Sequence, residues 1–193
     1  VEVDAGQAVF FPDRRAGPAG IPLGAQGRAL ALVSGGFDSA VAAWMMLRRG
    51  VALDYVFCNL GGGAHEEAVL RVLKVVADRW SYGYLPKLHA VEFRPLVETM
   101  QRQVEARYLQ IVLKRMMLRA AERIARRHNL VALVTGESVG QVSSQTLRNL
   151  AVIDAAAGLP VFRPLAGFHK EEIVERARFI GTYAVSAGVP EFC

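Results

Sequence analysis

The sequence predicts an α/β fold: a doubly wound, parallel, five-stranded sheet with helices on both faces. Three observations predict it. From residue 28 onward, short apolar runs alternate with longer amphipathic stretches. The first apolar run, Ala29 to Val33, passes through Ser34-Gly35-Gly36-Phe37-Asp38-Ser39 into a helix-forming run, Ala40 to Arg49. Polar or Gly-rich loops also follow the apolar runs that end near Asn59 and Thr135. In an open parallel sheet, ligands bind beyond the carboxyl ends of the strands, so these three loops can converge on one site.

The elements follow in order. Val1 to Phe11 alternates as a hairpin around an Ala5-Gly6-Gln7 turn, and Arg14 to Gly27 is a Gly/Pro-rich linker. The main domain therefore spans 28–193, and 1–27 belongs to the end of something upstream. Gly50 is a plausible stop for the first helix. Val51 to Asn59 is the second strand, with Leu60-Gly61-Gly62-Gly63 as its exit. Ala64 to Trp80 is an amphipathic helix carrying Val69, Val72, Leu73 and Val76 inward and a Glu67/Arg71 pair outward. Leu88 to Phe93 is the third strand, and Pro95 opens a helix. Arg107 to His128 reads as one long helix with an apolar stripe of Leu109, Val112, Leu113, Met116, Ala120 and Ile124. Arg115, Arg119, Arg123 and Arg126 fall on another face. Leu130 to Thr135 and Val161 to Pro164 are the last strands, the helix between them reaches about Ala157, and Lys170 to Ile180 is the final helix before an irregular tail.

Composition excludes several classes. The 193 residues, 52% hydrophobic, suffice for one domain with a full core. No apolar run approaches membrane-span length, and the N-terminus is not a signal peptide. Two cysteines, Cys58 and Cys193, form no disulfide framework, and a cytoplasmic, reducing setting fits best. His65 and His169 show no metal-ligand spacing with the cysteines, so no zinc site is expected. The chain starts on Val1 and stops on Cys193, as a fragment of something longer would. The net charge of +5, with arginine far outnumbering lysine, permits nucleic-acid binding without specifying it.

The Ser34–Ser39 turn carries the chemistry. Two glycines let backbone approach a ligand, and the helix start offers unpaired N–H groups and the positive end of a dipole. This is a site for an anion, most naturally a phosphate chain. It lacks the Gly-Lys-Ser/Thr ending of a Walker loop and the Gly-x-Gly-x-x-Gly of a dinucleotide fingerprint. It resembles the PP-loop of ATP pyrophosphatases (the adenine nucleotide alpha-hydrolase-like fold), which cut ATP between its alpha and beta phosphates. In that resemblance Ser34, Gly35, Gly36 and Ser39 cradle pyrophosphate, and Asp38 helps hold Mg²⁺ against the phosphates.

Four further pieces make the resemblance specific. They are Asn59-Leu60-Gly61-Gly62 with Ala64-His65-Glu66; Leu113-Lys114-Arg115-Met116-Met117; the run Gly136 to Thr146; and Arg163-Pro164-Leu165, His169-Lys170-Glu171 and Pro190 to Cys193. With the loop, they look like the catalytic domain of the ThiI-type tRNA 4-thiouridine synthases, from about Gly17 to the end. The resemblance implies ATP-dependent adenylation of uridine 8 in tRNA, then sulfur transfer from a persulfide to give 4-thiouridine. It further implies a link to thiamine thiazole sulfur supply. The sulfur donor would be a cysteine desulfurase or a rhodanese persulfide. Most tRNA contacts would come from N-terminal ferredoxin-like and THUMP domains, of which residues 1–11 look like a last hairpin.

Residue by residue, the resemblance puts Leu32, Val33, Phe57 and Cys58 on the adenine side of ATP, and Lys114, Gly136 and Gln145 at the rest of the nucleotide. Lys170 matches a lysine implicated in adenylation, and Cys193 the cysteine of the sulfur-transfer step. Each has a plainer reading. Lys114 suits a solvated helix face, Gly136 a turn, Gln145 a first helical turn, and Cys58 a small buried hydrophobe in an apolar strand run. Lys170 at a helix start opposes the dipole, which favours an anion nearby. Two departures stand out: His169 replaces a frequent Asp, and Cys58 an apolar or aromatic residue. Two rival functions stay open: adenylation followed by attack of ammonia or an amine, as in NAD and GMP synthetases or tRNA lysidine enzymes, and a non-catalytic nucleotide-binding or sulfur-relay module.

Overall fold

Every β-to-α alternation expected from residue 28 onward is present in the computed structural model, which describes residues 1–13, 17 and 19–189. Strands β3 (Arg28–Val33), β4 (Ala52–Asn59), β5 (Leu88–Glu92), β6 (Leu133–Val134) and β7 (Val161–Phe162) form one sheet in the order β5-β4-β3-β6-β7. All four pairings are parallel, with Leu30 opposite Asp54 on one side and Leu133 on the other. Upstream, β1 (Glu2–Asp4) and β2 (Gln7–Val9) make the expected hairpin, exposed along its length. The order reverses at β3: the chain moves outward to β4 and β5, then returns to the other side for β6 and β7. The crevice between β3 and β6 is therefore the switch point at which such sheets bind ligands.

Side-chain alternation along the strands builds two cores. Ala29, Ala31, Val33, Leu53, Tyr55 and Phe57 face helices α1 (Phe37–Arg48), α2 (Gly62–Trp80) and α6 (Lys170–Ile180). Leu30, Val56 and Leu133 face α4 (Leu109–Arg127) and Ile153 of α5 (Leu147–Asp154). A smaller cluster, Phe93, Met100 and Leu113, seats α3 (Arg94–Gln103) on α4. Fully buried aliphatics such as Leu30, Val41 and Val56 are each worth about 1.5–3 kcal/mol. Gly50 does stop α1: at φ 78° it closes a Schellman motif, with Gly50 N–H donating to Leu47 O at 2.9 Å and Val51 N–H to Met46 O at 3.2 Å.

Three details differ from the expectation. The deepest residues of α4 are Leu118, Ala121 and Ala125, none of them in the expected 109/112/113/116/120/124 stripe, of which Leu113 alone is buried. The helix is apolar on two sides, one against the sheet and one against α3, and periodicity alone weighted the second. The first turn of the expected long helix is a separate 3₁₀ turn, Ala106–Tyr108. The tail after α6 is not wholly irregular: α7 (Tyr183–Ser186) forms there, and Tyr183 stacks on Phe37 with ring centroids 5.3 Å apart. A four-residue helix is too short to leave a periodicity to read.

Candidate active site

The site grows from the end of β3. At Gly35, φ of 84° turns the chain, and a side chain there would press on Val69 and Val189 at about 3.0–3.1 Å. Ser39 fastens the turn: its Oγ accepts from Ser34 N–H at 3.3 Å and donates to Gly36 O at 3.2 Å. His65, 5% exposed, holds the Ser34 carbonyl at 3.2 Å and meets Phe57 edge to face, so it is structural here. Gly36 caps α1 without a side-chain hydrogen bond, leaving the first helical N–H groups to an external acceptor.

These atoms open onto a cavity of about 420 Å³, within the range of small-molecule sites. Its floor is Leu32, Val33, Phe57 and Cys58, the four residues expected on the adenine side. Met117, Leu118 and Ile153 extend the apolar wall. Ser34, Gly36, Asp38, Ser39, Gly136, Gln145, Lys114 and Lys170 also line it. Gly35 is not among the lining residues, since its bend carries it against Val189. Cys58 departs from expectation in one respect: it is half-buried rather than sealed, and it lines the cavity, while Asn59 after it is buried again. Cys193 lies outside the described residues.

Asp38 sits in the first turn of α1, where a carboxylate is favoured by the dipole. It accepts from Lys170 Nζ at 2.7 Å and from Gln141 Nε2 at 3.0 Å. Lys170 opens α6, and Glu172 caps that helix by accepting from His169 N–H at 2.9 Å. The dipole's penalty on Lys170 is thus met by Asp38, which ties α6 to α1 across the cavity mouth. Gly136 is more than a turn residue. A Cβ there would stand 2.7 Å from the backbone of Asp38 and Ser39, so only glycine lets β6 end against the start of α1. Gly136→Ala should cost about 1–3 kcal/mol of stability and displace the loop, weakening anion binding at least about tenfold; thermal melts and equilibrium nucleotide titration check both.

Lys114 is not a solvated cation. It is paired with Glu137 at 2.8 Å, and their side chains are 18% and 12% exposed. Arg163 holds the second oxygen of Glu137 at 2.8 Å and grips Asp154 with its other two nitrogens at 2.9 and 2.6 Å. Burial penalises the Glu137 carboxylate, but the charges and hydrogen bonds of Lys114 and Arg163 outweigh it, and its pKa falls below the ordinary 4.5. A depressed carboxylate adds stability that is present above 4.5 and lost as pH falls through the folded-state value. The melting-temperature advantage of the wild type over Glu137→Gln should therefore narrow as the pH is taken from neutrality to about 3.

Gln145, 8% exposed, keeps its amide oxygen buried without a hydrogen-bond partner, at the cavity wall. A native protein rarely strands such an atom, so a ligand donor fits there. The sequence reading assigned no role to Glu137, Gln141 or Arg163, although all three stand in the recognised runs. Their partners are 23, 103 and 26 residues away, a separation that no local pattern reveals. Among the described residues, no cluster of His, Cys, Asp and Glu could hold a metal ion by itself, and no helix is long and apolar enough to cross a membrane.

The family model described as "Thiamine biosynthesis protein (ThiI)" matches residues 24–193. The chain belongs to the ThiI family. The tRNA sulfurtransferase of Pyrobaculum aerophilum is 45% identical over 193 residues, which are 100% of this chain and 40% of that protein. The probable tRNA sulfurtransferase of Aeropyrum pernix is 46% identical over all of this chain and 49% of its own length. The chain thus spans about half or less of these ThiI-family relatives. Among solved structures, a 4-thiouridine synthetase–RNA complex with bound ATP superposes with a TM-score of 0.83 at 42% identity, covering 86% of this chain and 44% of that one. The U34-tRNA thiolase NcsA of Methanococcus maripaludis superposes with a TM-score of 0.57 at 15% identity, covering 84% of this chain and 63% of that one, a likeness of fold alone.

Proposed function

We propose that this chain is the catalytic domain of a tRNA 4-thiouridine synthase, binding ATP and activating a tRNA uridine for sulfur transfer. The observation that carries it is the uncapped start of α1 facing a 420 Å³ cavity, with Asp38 and Lys170 at its mouth. The apolar floor suits an adenine, the Gln145 oxygen suits a donor on the nucleoside, and the α1 N-terminus suits the phosphates. Uridine O4 attacks the alpha phosphate and the bond to pyrophosphate breaks; the terminal persulfide sulfur then attacks C4 and displaces AMP, and a second thiol cleaves the remaining S–S bond to release 4-thiouridine, leaving a disulfide that an external thiol reductant reduces. Preorganised N–H donors at the leaving pyrophosphate are each worth about 3 kcal/mol. Asp38 is the residue to hold Mg²⁺, which when bound supplies charge neutralisation at the phosphates. Lys170, released from Asp38, donates to phosphate oxygens.

Cys193 is the sulfur-handling residue in this reading. Val189 touches the loop at Gly35, and four further residues cover at most about 14 Å of chain. The persulfide comes from a donor of the cysteine desulfurase or rhodanese type. Residues 1–27 are the end of a THUMP-like domain with its linker, supported by a hairpin that exposes Val1, Val3, Val9 and Phe10. Residues 28–193 are the catalytic domain.

Mass spectrometry of tRNA incubated with this chain, ATP, Mg²⁺ and a persulfide donor tests the reading, with and without the N-terminal domains supplied. Appearance of 4-thiouridine supports it, and its absence with all components present overturns it. The tRNA contribution of the chain itself should be weak and steeply salt-dependent. Arg119, Arg123 and Arg126 of α4 are exposed, but Arg126 is held by Glu122 and Arg115 donates to the Val152 carbonyl, which leaves few cations for phosphates. A plot of log affinity against log salt should have a slope of about −0.9 per neutralised phosphate. Tight binding at physiological salt would refute this division of labour.

A further inference from the structure

Lys114 reaches the cavity from the second turn of α4 on a flexible four-carbon stem. Such a side chain has many rotamers, and ligand binding would otherwise have to overcome the loss of that freedom. Here that freedom is already removed. Glu137 Oε1 accepts from Lys114 Nζ at 2.8 Å, and Glu137 Oε2 accepts from Arg163 Nε at 2.8 Å and Thr135 Oγ1 at 3.2 Å. Arg163 is itself locked by the two-pronged contact with Asp154 at the end of α5. Four elements are thus joined in one line, from α5 through the residue after β7 and the loop after β6 to α4. An ammonium has three N–H donors and no acceptor, so one bond to Glu137 leaves two for a ligand.

A purely structural ion network would not place its terminal cation in the wall of the ligand cavity. We propose that Glu137 and Arg163 are positioning residues for nucleotide binding, acting through Lys114, with Asp154 as the anchor. The inference rests on the reading of this cavity as the ATP site. Arg163 cannot be replaced by lysine in this role, because its planar fork serves two carboxylates at once and an ammonium would serve one.

The test is a double-mutant cycle on the full chain, read by equilibrium titration of ATP with Mg²⁺. Glu137→Gln should weaken binding about tenfold in the wild-type background and no more than about twofold in Lys114→Met. Asp154→Asn, half exposed and at a helix end, should weaken binding about threefold, again only where Lys114 is present. It keeps the cycle readable if Glu137→Gln melts too low. In activity assays both variants should raise KM for ATP with kcat within about twofold. Equal losses with and without Lys114 would overturn the relay while leaving the ATP site intact. Melting temperatures lowered with unchanged ATP affinity would also overturn it, since the network would then be structural alone. A wild-type chain that fails to bind ATP would remove the site reading and the relay together.

Discussion

Asp38→Ala should abolish pyrophosphate release, by at least about a thousandfold, while leaving the fold intact. The carboxylate is at the cavity mouth, its partners are the flexible Lys170 and Gln141 side chains, and nothing in either core leans on it. Its loss removes the residue that would hold Mg²⁺ and the partner that orients Lys170 before ATP binds. Asp38→Asn separates these effects. The amide oxygen can still accept from Lys170, so ATP affinity should suffer less than turnover. Circular dichroism and thermal melts should match the wild type within a few degrees. A variant that releases pyrophosphate at the wild-type rate refutes the role of Asp38.

Cys193→Ser should retain ATP binding and adenylation and lose thiolation altogether. In the proposed reaction the two half-reactions draw on separate parts of the chain: the loop at the end of β3 for the first, Cys193 for the second. Loss of adenylation together with thiolation would make Cys193 structural, and full thiolation from the persulfide donor alone would show that sulfur bypasses it. Alkylation gives an independent reading. Cys193 should react quickly and Cys58 slowly, and ATP should slow Cys58 further because that thiol lines the cavity floor. ATP should leave the rate at Cys193 within about twofold of its value in the nucleotide-free chain.

What the sequence disclosed follows the range of the forces involved. The five strands, Gly50 as a helix stop and the loop at Ser34–Ser39 are written in local periodicity and in glycine placement, so they could be read directly. The floor residues Leu32, Val33, Phe57 and Cys58 were reached through the family resemblance, and the parallel topology accounts for their meeting, since it brings the strand ends to one side of the sheet. Gly136 was visible as a turn glycine, but its reason is a steric contact with Asp38 and Ser39 nearly a hundred residues earlier. Lys114 was read beside a basic helix face, and its carboxylate partner emerged only from the fold. The second apolar side of α4 stayed hidden for the same reason: a helix wedged between a sheet and another helix blurs the one-stripe pattern.

Strand β3 has a mechanical consequence. It is the middle strand of the five, bonded to β4 over six residue pairs and to β6 over two. The loop at Ser34 is the direct continuation of this strand. Edge strands and short helices can fray in isolated, low-energy openings, whereas a central strand is released only when the sheet as a whole separates. Thermal fluctuation of the chain is therefore filtered before it reaches the anion-binding turn, which is mounted on the part of the molecule that is last to come apart.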